Sequence, residues 1–321
     1  MVYSKLIASS RHANRRHPLM FSYRHGFHAG NHADVLKHTV LIQLLAYLNQ
    51  KPTPYMVIDT HAGAGLYQLD SDYANKSGEA SDGIAKLWER KDLPPAVAEY
   101  VALIRAMNPA GKLRHYPGSP FIAEQCMRSE DRLRLFELHS TDAKLLLENV
   151  RKLEAHAAAN GIKHRGKRIA AERTDGFAAL KALLPPPSRR ALVLIDPPYE
   201  NKDDYRKVKL ALEDAQKRFA SGTYAVWYPV LSRLDSQQLP ERLKRGAQSD
   251  WLQVTLSVGA AADADGRGLN ASGMFILNPP WTLEATLREC LPWLTQTLAR
   301  ERSAQFTLTT GSAAKPVKVS E

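Results

Sequence analysis

The run Ala191-Leu192-Val193-Leu194-Ile195 stops at Asp196-Pro197-Pro198-Tyr199, and few stretches leave a chain so little choice of structure. Five strand-forming apolar residues in succession, with Pro185-Pro186-Pro187 and Arg189-Arg190 before them, read as a strand buried on both faces. That is the pattern of a parallel sheet in an α/β fold. Two prolines cannot extend the ladder, and they hold the backbone in an extended turn. The chain thus sets an acid at the carboxyl end of the strand, a rigid carbonyl beside it and an aromatic ring next. In open α/β sheets, ligands bind at that edge.

Asp196, the Pro197 carbonyl and the ring of Tyr199 together suit chemistry on an amino group attached to a flat ring. The exocyclic nitrogen of adenine is a poor nucleophile, because its lone pair is delocalised. A carboxylate and a carbonyl can each accept one of its N–H hydrogens. They draw the nitrogen toward tetrahedral geometry and stabilise the positive charge that grows as it attacks a methyl donor. Tyr199 can stack on the base and hold it in line. The plain alternative is a strand closed by a Pro-Pro stop after a chance acid, and four residues alone are a weak signal.

Other strand ends repeat the arrangement. Pro54 to Asp59 reads as a first buried strand and runs into Asp59-Thr60-His61-Ala62-Gly63-Ala64-Gly65. Gly63 and Gly65 let the backbone approach a ligand at a strand-to-helix turn. The third glycine of a dinucleotide fingerprint is missing, and the spacing fits the looser turn of methyl-donor enzymes. Arg132 to Leu138 alternates as a second strand, and Glu137 at its end can hold ribose hydroxyls. Arg168 to Ala171 is a short strand followed by Asp175-Gly176-Phe177, where Asp175 can accept the amino group of a cofactor adenine. Each acid has a bland reading as a cap or surface charge, but their recurrence at successive strand ends is harder to obtain by accident. Pro117-Gly118-Ser119-Pro120 opens a helix with Ser119 as N-cap and Pro120 at the first helical position. If that helix start faces the crevice, Ser119 can also touch a carboxylate there. Helices are expected over residues 144–159 and 205–219, and strands over 224–230, 251–258 and 274–277. The last strand ends in Asn278-Pro279-Pro280-Trp281, a rival to the central motif. In the usual strand order a site there lies away from the donor pocket, so Asn278 reads as a strand stop.

Residues 66–115 show helical patterns at Gly83 to Glu89 and Ala96 to Met107, with no strand signal, and read as an inserted helical subdomain. The core is then expected over residues 20–65 and 116–302. Residues 1–19 carry Lys5, Arg11, Arg15 and Arg16 without an acid, and read as a disordered extension, with Met20 an alternative start. Residues 303–321 read as a loose tail. The 44 basic and 33 acidic residues leave a net charge of +11, which favours a polyanionic partner such as nucleic acid. Cys126 and Cys290 provide neither a disulfide framework nor a zinc spacing. His28 and His32 lie one helical turn apart, but Gly30 intervenes and no glutamate sits where a zinc protease needs one, so no metal is expected. Tyr23, Arg24, His25 and Lys37 read instead as nucleic-acid contacts. The longest apolar stretch, around Val40 to Leu48, is too short to span a bilayer. A cytoplasmic monomer is the expectation.

Six stretches in one order now matter together: Tyr23-Arg24-His25; His28-Ala29-Gly30-Asn31-His32-Ala33-Asp34-Val35-Leu36-Lys37-His38; the turn from Asp59 to Gly65; Tyr116-Pro117-Gly118-Ser119-Pro120; Asp196 to Tyr199; and Ala271-Ser272-Gly273-Met274. With them, the chain from Met20 to Leu298 resembles the ribosomal RNA large-subunit methyltransferase J family. The resemblance implies a Rossmann-like class I methyltransferase sheet with an inserted helical subdomain. It implies S-adenosylmethionine as donor, and N6 of one adenine in 23S rRNA, naked or early in assembly, as acceptor. Position by position, it implies a donor pocket of His38, His61, Ser119, Glu137, Asp175 and Gly176, to which the turn read above adds Gly63. It places Asp196 at the reacting nitrogen and Tyr23, His25 and Lys37 at the target nucleotide. The roles of His38 and His61 rest on the resemblance alone. Rival readings are a DNA adenine methyltransferase with the same site, a protein-glutamine methyltransferase, and a non-catalytic rRNA-binding assembly factor.

Overall fold

The computed structural model describes residues 26, 28–69, 78–159, 167–259 and 269–313. The expected extension over residues 1–19 lies outside them. Helix α1 (His32–Asn49) comes first, its amino end capped by the Asn31 side chain, which accepts from the backbone amides of Ala33 and Asp34. It is buried on nearly every side, which an all-round apolar helix requires. Strand β1 (Met56–Asp59) follows, then β2 (Leu66–Gln68), a single 3₁₀ turn at Glu79–Asp82, and helices α2 (Ile84–Trp88) and α3 (Pro95–Met107). Strand β3 (His115–Pro117) leads into α4 (Ser119–Cys126), β4 (Arg132–Phe136), α5 (Ser140–Ala159) and β5 (Ile169–Glu172). The second half runs α6 (Gly176–Leu183), β6 (Ala191–Ile195), α7 (Lys202–Arg218), β7 (Thr223–Pro229) and α8 (Leu234–Gly246). It ends with β8 (Trp251–Ser257), β9 (Ala271–Leu277), α9 (Leu283–Leu298) and β10 (Gln305–Gly311).

Among the described residues, eight strands form one sheet in the order β10-β8-β9-β7-β6-β1-β4-β5. Strands β5, β4, β1, β6 and β7 are parallel neighbours, and β1 and β6 are buried at every residue. Such strands need helices on both faces. Helices α1, α3, α4 and α9 form one packed group, and α6, α7 and α8 form another. The chain moves outward from β1 through β4 to β5, then returns to place β6 on the other side of β1. The connections therefore diverge between β1 and β6, and a crevice opens at their carboxyl ends. Asp59 and Asp196 stand on its two sides.

Two sequence expectations change. Residues 305–311 are not a loose tail: β10 pairs antiparallel with β8 along its whole length. The segment Gln305-Phe306-Thr307-Leu308-Thr309-Thr310-Gly311 does alternate, but its outward residues are Gln305 and threonines, so its apolar signal is half-strength, as befits an edge strand. The stretch 66–115 also holds strand at both ends: β2 pairs with β3, Tyr67 opposite Tyr116, as a two-stranded clasp around the inserted helices. Three residues per strand are too few for a periodic signal. Strand β9 runs antiparallel to β7, with Leu277 opposite Tyr224. Asn278 therefore falls at the opposite edge of the sheet from Asp196. Its side-chain amide donates to the carbonyls of Ala220 and Gly222, 2.7 Å each, which makes it a strand stop.

Candidate active site

Asp196 leaves β6 at the crevice, and the next three residues are held from several sides. Tyr199 has φ +52°, a left-handed conformation that costs a non-glycine residue strain. Its hydroxyl donates to the carbonyl of Trp227 at 2.7 Å, and the Arg233 guanidinium donates to its carbonyl. The Tyr199 ring is buried against Tyr205 and Trp227. The backbone beside Asp196 is thus fixed before any ligand arrives.

The partner of Asp196 comes from α1. Lys37 Nζ lies 2.6 Å from Asp196 Oδ2 and 2.9 Å from Asp34 Oδ1, and all but about 5% of its side chain is buried. Burial alone would lower the ammonium pKa; the two carboxylates more than offset this, and the net shift is upward. Two acids around one cation leave this triad one net negative charge. Asp34 also accepts from the Gly30 amide at 2.9 Å, so its position is determined by backbone as well as by charge.

Asp196 borders a cavity of about 350 Å³. Lys37, His38, Thr60, His61, Gly63 and Ser119 line it, together with Glu137, Asp175, Gly176, Lys207 and Pro198. The structure therefore gathers every described member of the expected donor set. Glu137 accepts from the Gly63 amide at 2.8 Å and the His139 amide at 2.7 Å, which ties the acid at the end of β4 to the glycine turn after β1. Burial pushes its pKa up against those two hydrogen bonds. His61 is pushed down to about 4 by burial and is neutral near pH 7. Thr60 Oγ1 donates to the Leu194 carbonyl at 3.0 Å, so its 2.8 Å bond with His61 Nδ1 takes the imidazole proton and leaves Nε2 as the acceptor. His38, fully buried, shares a 2.7 Å bond with the Tyr116 hydroxyl. Asp175 caps α6, accepting from Phe177 N at 2.9 Å, while lining the same cavity. Gly176 is needed for packing: a Cβ there would collide with the Thr60 backbone. Ser119 is the first helical residue and not the cap, which is Gly118. Its hydroxyl donates to Asp59 Oδ2 at 2.6 Å, and burial raises the Asp59 carboxyl to about 6.

A second cavity of about 290 Å³ adjoins it. Asp196, Pro198 and Lys37 border both cavities. The second is otherwise lined by Tyr199, Trp227, Pro229, Leu231 and Arg233, with His28 and Asn31 also among its residues. Pro197 is buried between its neighbours and borders neither. His28 Nδ1 and the Asn31 amide both bind Glu79, at 2.8 and 2.9 Å, while His32 Nε2 binds the Leu269 carbonyl. The histidines at residues 28 and 32 are thus engaged separately. Tyr23 and His25 lie outside the described residues. Sequence reasoning missed Asp34, Trp227 and Arg233. Asp34 and Lys37 are spaced to pair on one helix face, which was a usable signal; Trp227 and Arg233 carried none.

The donor-side cavity falls in the size range of small-ligand sites, about 300–1,000 Å³. Its residues also suit S-adenosylmethionine: the acids Glu137 and Asp175 match ribose hydroxyls and an amino group, and a glycine turn opens the backbone. The family described as "Ribosomal RNA large subunit methyltransferase D, RlmJ" matches residues 52–309. Ribosomal RNA large subunit methyltransferase J of Escherichia coli K12 is 46% identical over 275 residues, 86% of this chain and 93% of that protein. The protein of the same name from Haemophilus influenzae is 46% identical over 292 residues, 90% of this chain and 98% of its own. A crystal structure of a Legionella pneumophila protein superposes with a TM-score of 0.77 at 34% identity, covering 88% of this chain and 98% of that one. The chain belongs to the ribosomal RNA large subunit methyltransferase J family.

Proposed function

We propose that this chain transfers a methyl group from S-adenosylmethionine to N6 of one adenine in 23S rRNA. The observation that carries the reading is that Asp196 borders two cavities at once, one lined by donor-type residues and the other by aromatic ones. Direct transfer needs donor and acceptor on opposite sides of one reacting point.

Bound in the larger cavity, S-adenosylmethionine would supply an electrophilic methyl group. Glu137, Asp175 and the Gly63 turn would hold it, together with Ser119, His61 and His38. The target base would enter the smaller cavity against Tyr199 and Trp227. It must leave its stack to do so, which costs a few kcal/mol and least for an unpaired nucleotide. Asp196 Oδ1 would accept one N6 hydrogen, whereas Pro197, which borders neither cavity, is left to fix the backbone beside it. Lys37 holds the other carboxylate oxygen, so Asp196 cannot rotate away. The net negative charge of Asp34, Lys37 and Asp196 favours the cation that develops on N6.

The test offers labelled donor with deproteinised 23S rRNA, assembled subunits, duplex DNA and a protein extract, using wild type and Asp196→Ala. Label on N6 of adenine in naked 23S rRNA, lost in the variant, is expected. Donor binding by the variant, read as a rise in melting point with S-adenosylmethionine, should persist. Label on DNA or protein instead would overturn the substrate assignment.

A further inference from the structure

Helices α7 and α8 pack side by side, and the surface between them is a furrow of about 680 Å³. Lys202, Arg206, Lys209, Arg242 and Arg245 line it, against the acids Asp203, Glu213 and Asp235. A second depression of about 590 Å³ shares Glu213, Arg245 and Gly246 with the first and continues to Lys217. The two form one track along the whole of α7, from Lys202 to Lys217, roughly 22 Å at the rise of an α-helix.

The charges are not used up within the fold. Arg206 pairs with Asp203 at 3.5 Å and Lys209 with Glu213 at 2.8 Å. Among the described residues, Lys202, Arg242 and Arg245 have no carboxylate partner. Arg242 rests on the Gln238 side chain and Arg245 on the Glu241 carbonyl, both neutral acceptors. The lining has no aromatic or branched apolar anchor, as a protein partner would ordinarily require. Long cations spaced along a groove instead match a chain of phosphates. The track also begins at the chemistry: Asp204 and Lys207, on the first turns of the same helix, line the donor-side cavity.

We propose that the α7–α8 furrow is the track for the RNA strand flanking the target nucleotide, with Lys202, Arg242 and Arg245 holding its phosphates. This rests on the reading that the substrate is rRNA. It makes α7 a two-sided element, lining the donor-side cavity at its amino end and RNA-holding along its outer face.

The test uses the full chain, in-vitro transcribed 23S rRNA and the variant Lys202→Gln/Arg242→Gln/Arg245→Gln. Three readouts are taken: equilibrium binding across a salt series, KM and kcat for methyl transfer, and the rise in melting point with S-adenosylmethionine. The variant is expected to bind RNA about tenfold or more weakly, with the slope of log affinity against log salt shallower by about 2 to 3. Its KM should rise while kcat at saturating RNA and the donor-induced rise stay at wild-type values. Should the triple variant fold poorly, Arg242→Gln and Arg245→Gln singly should each reduce the slope by about 1. Wild-type slope and KM in these variants would overturn the furrow and leave the substrate reading standing. A wild-type enzyme that neither binds nor methylates 23S rRNA would overturn both. Loss of binding to a ribosomal protein, with RNA binding intact, would overturn the track as an RNA site.

Discussion

Lys37 is the residue on which the site's electrostatics turn. It lies between two buried or half-buried carboxylates, and removing it leaves them facing each other without a counter-charge. Breaking a buried pair in this way costs about 3–5 kcal/mol. Lys37→Met should therefore lower stability by that order in a urea titration, and adding Asp34→Asn should restore part of the loss. Additive losses would show that the two residues do not act as a unit. Asp59 and His61, two positions apart in sequence, respond to pH with opposite signs. The buried Asp59 carboxyl titrates near 6 in the folded chain against an ordinary 3.8, so the folded state binds the proton more tightly. Its contribution to stability falls as pH rises from about 4 to 6, by up to about 3 kcal/mol. Asp59→Asn should remove that loss, and its stability relative to wild type should grow across the same window. His61 titrates near 4 against 6.5, so the unfolded chain takes up a proton that the folded chain refuses. That contribution is lost as pH falls from about 6.5 toward 4. His61→Gln should flatten the acid limb, as followed by melting point against pH.

Helix α1 does two tasks at the scale of an element. Its apolar residues, Val35, Leu36, Val40, Leu41 and Leu44 among them, anchor it in the core, and its first two turns carry Asp34, Lys37 and His38 into the site. A helix with buried charges at one end departs from the usual economy of a core, and such departures mark function. Asn31 joins both tasks, since its carbonyl oxygen caps α1 and its amide binds Glu79 beside the inserted helices. Asn31→Ala should cost about 1 kcal/mol for the cap alone, measured by chemical denaturation. It should also raise KM for RNA, because the lining of the acceptor-side cavity loses its tie to Glu79. A variant with wild-type stability would show that Glu79 and backbone contacts already hold the helix start.

The sheet as a whole decides where the chemistry sits. Strand β10 closes the edge beyond β8, with Phe306 and Leu308 half-buried against the fold. Ending the chain at Arg302 should cost about 2 kcal/mol, taking half-burial at roughly 1 kcal/mol per side chain. It would also bare the β8 edge, so concentration-dependent aggregation should appear in light scattering. Methyl transfer measured well below the melting point should survive, since β10 lies at the far end of the sheet from β1 and β6.

Much of this organisation was legible in the residues themselves. Short apolar runs ending in Asp59, Glu137 and Asp196 declare a parallel sheet with acids along one edge, because burial on both faces and a stop at an acid are local properties. The inserted helices were readable for the same reason. Strand β10 and the β2–β3 clasp were not, since an edge strand shows half a pattern and three residues show none. Asp196 and Asn278 end in the same Pro-Pro stop, and only strand direction separates them: β9 runs backwards and carries Asn278 to the other edge. The triad of Asp34, Lys37 and Asp196 likewise spans 159 residues between Lys37 and Asp196. Sequence determined which residues could do the chemistry; their meeting was decided by the tertiary fold, because sheet order and helix packing act over distances that no local pattern records.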